Sequence, residues 1–267
     1  MQFEMAMVTP EMAQKFLADN AAFQRKIRVG VVRDLANAIL RGEWELTHQA
    51  VAFDINGKLI DGQHRLNAIV RAGVAVPCVI ARGVGAQSFK VIDIGVKRTM
   101  SDVLALGKRE VAVVGSISRN IMGCRKLSSS QTLSVYDEYS DTIEKVLNAS
   151  GRAKGVFNSA AAHAAVVLSA HKKPEQHGRI LGLYSNLVGQ NFEALPPVGH
   201  ALLRLALDGK LSAIGEGQRV DLLYKLLYVF DESKSENNRI IMGQDFKAAI
   251  TMKLRGEVSR LVGDLKA

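Results

Sequence analysis

Cysteine is scarce: Cys78 and Cys124 are the only two in 267 residues, and neither sits in a CxxC pair or a Cys/His array. No structural zinc is expected on that count, and a reducing compartment is. No basic leader with a long apolar core follows Met1-Gln2-Phe3-Glu4, and no stretch reaches the roughly 18 unbroken apolar residues of a spanning helix. The chain is expected to be soluble, unprocessed and cytoplasmic. A Gly-x-Ser-x-Gly elbow, a Walker loop and a His-Glu-x-x-His pair are also missing, which removes three common readings of an enzyme sequence. His163, His171, His177 and His200 have neither i,i+4 pairing nor carboxylate company, so core or surface roles are expected of them rather than metal ligation. There is no internal repeat and no low-complexity tract.

What is present is the profile of a packed globular protein, 48% hydrophobic and 23% charged. Thirty-five basic residues against twenty-six acidic ones leave a formal charge of +9, which suits phosphate-rich partners such as nucleotides or DNA and equally suits a merely solvated basic surface. The length allows one large domain or two modest ones. The texture of the chain favours two, 1–107 and 108–267.

Along the first part, strand and helix alternate. Thr9 and Pro10 open a helix that runs to Asn20. Val32, Leu35, Ala36, Ile39 and Leu40 recur on one face of a second helix, with Gly42 at its C-terminal cap. Gln49 to Asp54 reads as a strand, Ile55-Asn56-Gly57-Lys58 as a hairpin turn, and Leu59-Ile60 as the return strand. Leu66, Ile69 and Val70 mark a helix ending near Gly73, Val76 to Ala81 the next strand, and 88–94 a mixed segment. From Ser101 the texture is helical, with breaks at Pro174, Leu195-Pro196-Pro197 and Asp231 to Asn238. The terminal helix, Gln244 to Leu265, is expected to bury Phe246, Ala249, Ile250, Met252 and Leu254. The fold class is therefore α+β, an α/β domain followed by a mostly α-helical one.

The junction Asp61-Gly62-Gln63-His64-Arg65 carries the chemistry. A strand running into Asp-Gly and then a helix directs helix amides at whatever lies above the turn, and this makes an anion site. Gly62 permits close approach, Arg65 offers a planar cation for phosphate, and His64 can donate a hydrogen bond. Asp61 has several readings: a plain N-cap, a holder for Arg65, or a ligand to a metal arriving with phosphates. Trp44 is expected to pack behind the hairpin, with a place beside a nucleotide base as the alternative.

The run Leu59-Ile60-Asp61-Gly62-Gln63-His64-Arg65-Leu66-Asn67-Ala68 resembles the DGQHR signature of the ParB/sulfiredoxin superfamily, in its phage and mobile-element forms. The similarity extends over about residues 20–107. It implies a nucleotide held at the turn, a nucleoside triphosphate (CTP or ATP) with Mg2+, by Gly62, Gln63, His64 and Arg65, with Asp61 and His64 as catalytic candidates. Arg25 and Arg28 come from a segment that approaches the same pocket in similar proteins, and exposed solubilising charge is the alternative. Lys97 and Arg98 could complete a phosphate clamp, while Thr99 and Asp102 could simply begin the next helix. Gln63 stands where sulfiredoxin has its cysteine, so sulfinic-acid reduction is not expected. No helix-turn-helix of the partition kind is legible. The resemblance thus implies a nucleotide-binding protein, a slow NTPase acting on or near DNA. The alternative is a non-catalytic DNA-binding regulator with a vestigial pocket, with kinase or nuclease activity ranked below both. A homodimer is a further expected partner arrangement.

Overall fold

The computed structural model describes residues 1–19, 26–85, 99–123, 127–151, 155–171 and 173–262. The chain divides into two compact units, Met1–Lys97 and Arg98–Ala267, the first α+β and the second helical.

In the first unit, strands β1 (Gln2–Val8), β2 (Val51–Asp54), β3 (Leu59–Asp61) and β4 (Val76–Val84) form one sheet in the order β1-β4-β2-β3. β4 runs antiparallel to β1 and parallel to β2, and β2 pairs antiparallel with β3. Helices α1 (Pro10–Ala18), α2 (Val29–Leu40) and α3 (Gln63–Ala72) accompany it, and α3 packs on both others. Thr9 caps α1, its Oγ1 accepting from Met12 N at 3.2 Å, and Pro10 opens the helix where its missing N–H costs nothing. In α2 the buried residues are Val32, Ala36 and Ile39, whereas Leu40 is exposed. Leu40 lies about 80° round the helix from Val32, at the edge of the stripe.

The hairpin forms where the Asn-Gly pair predicts it. Asp54 Oδ1 accepts from Asn56 N and Lys58 N, both at 2.8 Å, and so holds the turn. Val8, Val51, Phe53, Leu59, Val76, Cys78 and Ile80 pack in one core with helical residues such as Ile39, Leu66 and Ile69. A smaller cluster holds Ala52, Ile60 and Ala81, of the opposite alternation, with Val84, which joins them past the register shift between β2 and β4.

Strand β1 is not legible in the sequence, and its burial explains why. Phe3, Met5 and Met7 point to the solvent-exposed side, while only Val8 of the other set is buried. The usual apolar-in, polar-out alternation is absent, so unbroken main-chain pairing with β4 specifies the strand. The expected segment 88–94 lies outside the described residues.

The second unit comprises α4 (Met100–Leu104), α5 (Lys108–Met122), α6 (Ser129–Ser150), α7 (Ala160–Ala170), α8 (His177–Val188), α9 (Pro197–Leu207), α10 (Glu216–Phe230) and α11 (Gln244–Val262). Residues 99–107, placed with the first domain on sequence grounds, fall in this unit, where α4 packs on α5 and α6. At its centre is α7, with every residue from Ala161 to Leu168 buried. Helices α5, α6, α8 and α10 pack against it. A helix apolar all round belongs in a core, and its alanines let neighbours approach closely.

In α11 the expected stripe is corrected. Leu254, Val258 and Val262 are buried, Phe246 and Ile250 pack beside them, and Met252 is 81% exposed with Ala249 also outside. The stripe advances by fours, and Met252 stands about 200° round the helix from Ile250. Among the described residues no helix is long and apolar enough to cross a membrane.

Candidate functional site

The turn between β3 and α3 is built as a tight backbone crossing. Gly62 is the N-cap of α3 and has φ +103°, a conformation that costs a residue with a Cβ about 1–2 kcal/mol. A Cβ there would also meet Val51 of β2 at 3.1–3.2 Å. Glycine is thus required twice, by angle and by the approach of the neighbouring strand. No side chain caps α3, so the N-cap reading of Asp61 is replaced by another role.

That role is to hold Arg65. The Asp61 carboxylate lies 3.3 Å from Arg65 Nη2, one helical turn on. Arg65 also donates to the carbonyls of Gln49 and of Ala50, the latter at 2.8 Å. Its planar fork therefore ties the approach to β2 onto the first turn of α3. Gln63 is 3% exposed, and its carbonyl accepts from Asn67 Nδ2 at 2.7 Å.

His64 reaches the other way. Its Nε2 accepts the backbone N–H of Arg28 at 3.0 Å, and Arg28 is the N-cap of α2. An accepting Nε2 means a neutral ring with its proton on Nδ1. This bond draws the beginning of α2 to the beginning of α3. Neither helix has an acidic residue in its first turn, and the Asp61 carboxylate that precedes the α3 cap is held by Arg65. The Arg28 side chain is exposed beside them. The segment preceding α2 thus reaches the turn through the Arg28 backbone. Arg25, Lys97 and Arg98 lie outside the described residues.

A cleft of about 280 Å³ touches Arg65 but does not reach Asp61 to His64. Glu43 and Glu45 line it, with Cys78 at its wall, so its charge does not suit a phosphate. Burial pushes the Cys78 thiol up, against an opposing pull from Arg65. Trp44 also lines this cleft, and its Nε1 donates to Pro77 O of β4 at 2.9 Å.

Thr99 and Asp102 are brought together as the capping box of α4, with Thr99 N and Oγ1 at 2.7 and 2.6 Å from the Asp102 carboxylate. Among the described residues no group of three metal-ligating side chains gathers. Val51, Gln49 and Ala50 belong to the turn as well, through sterics and main-chain carbonyls. Residue type gives no sign of such roles, which only the register of β2 beside β3 reveals. No family model, no curated protein and no solved structure matches the chain.

Proposed function

We propose that the chain is a ParB-like nucleotide-binding protein that takes the phosphates of CTP or ATP at the N-terminus of α3. It would act on or near DNA as a slow NTPase in a phage or mobile-element setting. The observation that supports this reading best is the joining of two helix beginnings by the His64–Arg28 bond, with no carboxylate in either first turn. Two positive helix ends and an exposed guanidinium are a donor set suited to a polyphosphate.

In this reading Arg65 is a positioning residue, because its donors go to Gln49, Ala50 and Asp61. Arg28 is the exposed cation for phosphate, and His64 sets the spacing of the two helix ends. Mg2+ would enter with the triphosphate, and Asp61 is the one carboxylate of the turn able to meet it. The ion would neutralise charge developing on the phosphates.

The test is calorimetric titration of the full chain with CTP, ATP and GTP, with and without Mg2+, repeated on His64→Ala and Arg28→Glu. One nucleotide should bind, at least tenfold more weakly to each variant. Failure of all three to bind would remove this reading. The charge of +9 would then favour the second reading, a DNA-binding accessory protein, recognised by salt-dependent DNA affinity indifferent to nucleotide.

A further inference from the structure

The helical unit contains a larger cleft, about 470 Å³, that has no part in the turn just described. A volume of that order is within the range that holds small organic ligands. Its wall is made by the small side of α5. Ala112, Gly115 and Ser116 line it, and the α7 beginning, Ser159 to Ala161, closes one side.

Gly115 is informative because nothing in the backbone requires glycine there. It lies inside α5, it is not among the positive-φ glycines, and a Cβ at this position would meet nothing within 4 Å. Relative to alanine, α5 forgoes about 1 kcal/mol of helix stability at this position. The absent side chain keeps this stretch of the α5 wall low and open to the cleft.

Two arginines give the cleft its sign. Arg119 of α5 and Arg219 of α10 both line it, and no Asp or Glu among the described residues does. Arg119 is half-buried, and its guanidinium has no hydrogen bond or ion pair among the described residues. Arg219 donates through Nε to Ala213 O at 2.9 Å, and its terminal amines take part in no ion pair among the described residues. Ser159 caps α7 by accepting from Ala162 N at 3.3 Å, and α7 has no acidic residue in its first turn. The amides of Ala160 and Ala161 precede the first intrahelical bond. Apolar surface completes the wall through Met100, Val111 and Leu127.

We infer that this cleft binds a small organic anion, with a single phosphate or carboxylate head met by Arg119, Arg219 and the α7 amides, and an apolar body against α5. The inference does not rest on the nucleotide reading of the turn, since no residue is shared. An apolar body alone would leave two guanidinium groups beside a dry surface, and a bare ion would leave the apolar wall unfilled.

The experiment is calorimetric titration of the full chain with octyl phosphate, octanoate and octanol, each below its aggregation threshold. One anion should bind once per chain and at least tenfold more tightly than octanol, and the comparison of the two anions identifies the preferred head. Arg119→Gln combined with Arg219→Gln should weaken the anion at least tenfold. Gly115→Leu, which projects a four-carbon side chain into the cleft, should weaken binding at least tenfold. Circular dichroism establishes which variant is folded, and either folded variant decides the matter. Anion binding no tighter than octanol, or unchanged in a folded variant, overturns the inference.

Discussion

Gly62 and Gly73 bracket α3, and both have positive φ, +103° and +67°. They differ in surroundings: a Cβ at Gly62 would press on Val51, whereas one at Gly73 would meet nothing within 4 Å. Gly73→Ala is therefore expected to cost about 1 kcal/mol, from backbone angle alone. Gly62→Ala adds overpacking and is expected to cost about 2–4 kcal/mol. Urea unfolding of the two variants checks the difference, and equal losses would contradict the packing argument. His163 gives a prediction in pH. It is 2% exposed, its Nε2 has no hydrogen-bond partner among the described residues, and burial holds its pKa down at about 4, from an ordinary 6.5. The unfolded chain takes up this proton near pH 6.5 and the folded chain only near 4, so stability falls as pH drops through that window. The loss should approach about 3 kcal/mol at its lower end. His163→Leu should flatten that part of a stability-versus-pH curve measured in urea, and an unchanged slope would count against it.

At the scale of elements, α11 offers a direct contrast. Leu254→Ala is expected to cost about 2–5 kcal/mol, while Met252→Ala should stay within about 0.5 kcal/mol. Thermal unfolding of the two variants measures this, and similar losses would mean that the stripe is misplaced. The same helix shows where sequence periodicity succeeds and where it stops. The helix and its beginning at Gln244 are legible from composition and spacing, but Met252 is apolar and exposed, so hydropathy alone assigns it to the wrong side. Strand β1 fails for the related reason that its large side chains face outward. The hairpin, α1 and α3 are legible because Asn-Gly, Thr-Pro and a terminal glycine each have a local backbone cause. In the candidate site, Asp61 with Arg65 is readable as an i,i+4 pair. The carbonyl anchors at Gln49 and Ala50 and the bond from Arg28 N to His64 are not, because they join residues 15 to 36 positions apart through main-chain atoms.

On the scale of the whole molecule, two units with their own apolar cores should unfold as two units. One core gathers Val51, Leu66 and Ile80 of the first unit, and another gathers Val135, Val166 and Leu222 of the second. Differential scanning calorimetry should therefore resolve two transitions, with Gly62→Ala lowering one and Leu254→Ala the other. A single transition shifted equally by both variants would contradict that division. The excess of nine positive charges acts over the whole surface and makes any nucleic-acid affinity fall with added salt, whichever unit carries it.

The proposed receipt of phosphate by the first turn of α3 is read directly by amide chemical shifts. In a nitrogen-15 NMR titration with the nucleotide that binds, in Mg2+, the amides of Gln63, His64 and Arg65 should shift early and saturate together, with those of Val29 and Gly30 moving alongside. Binding that leaves these amides in place while shifting residues elsewhere would contradict the account.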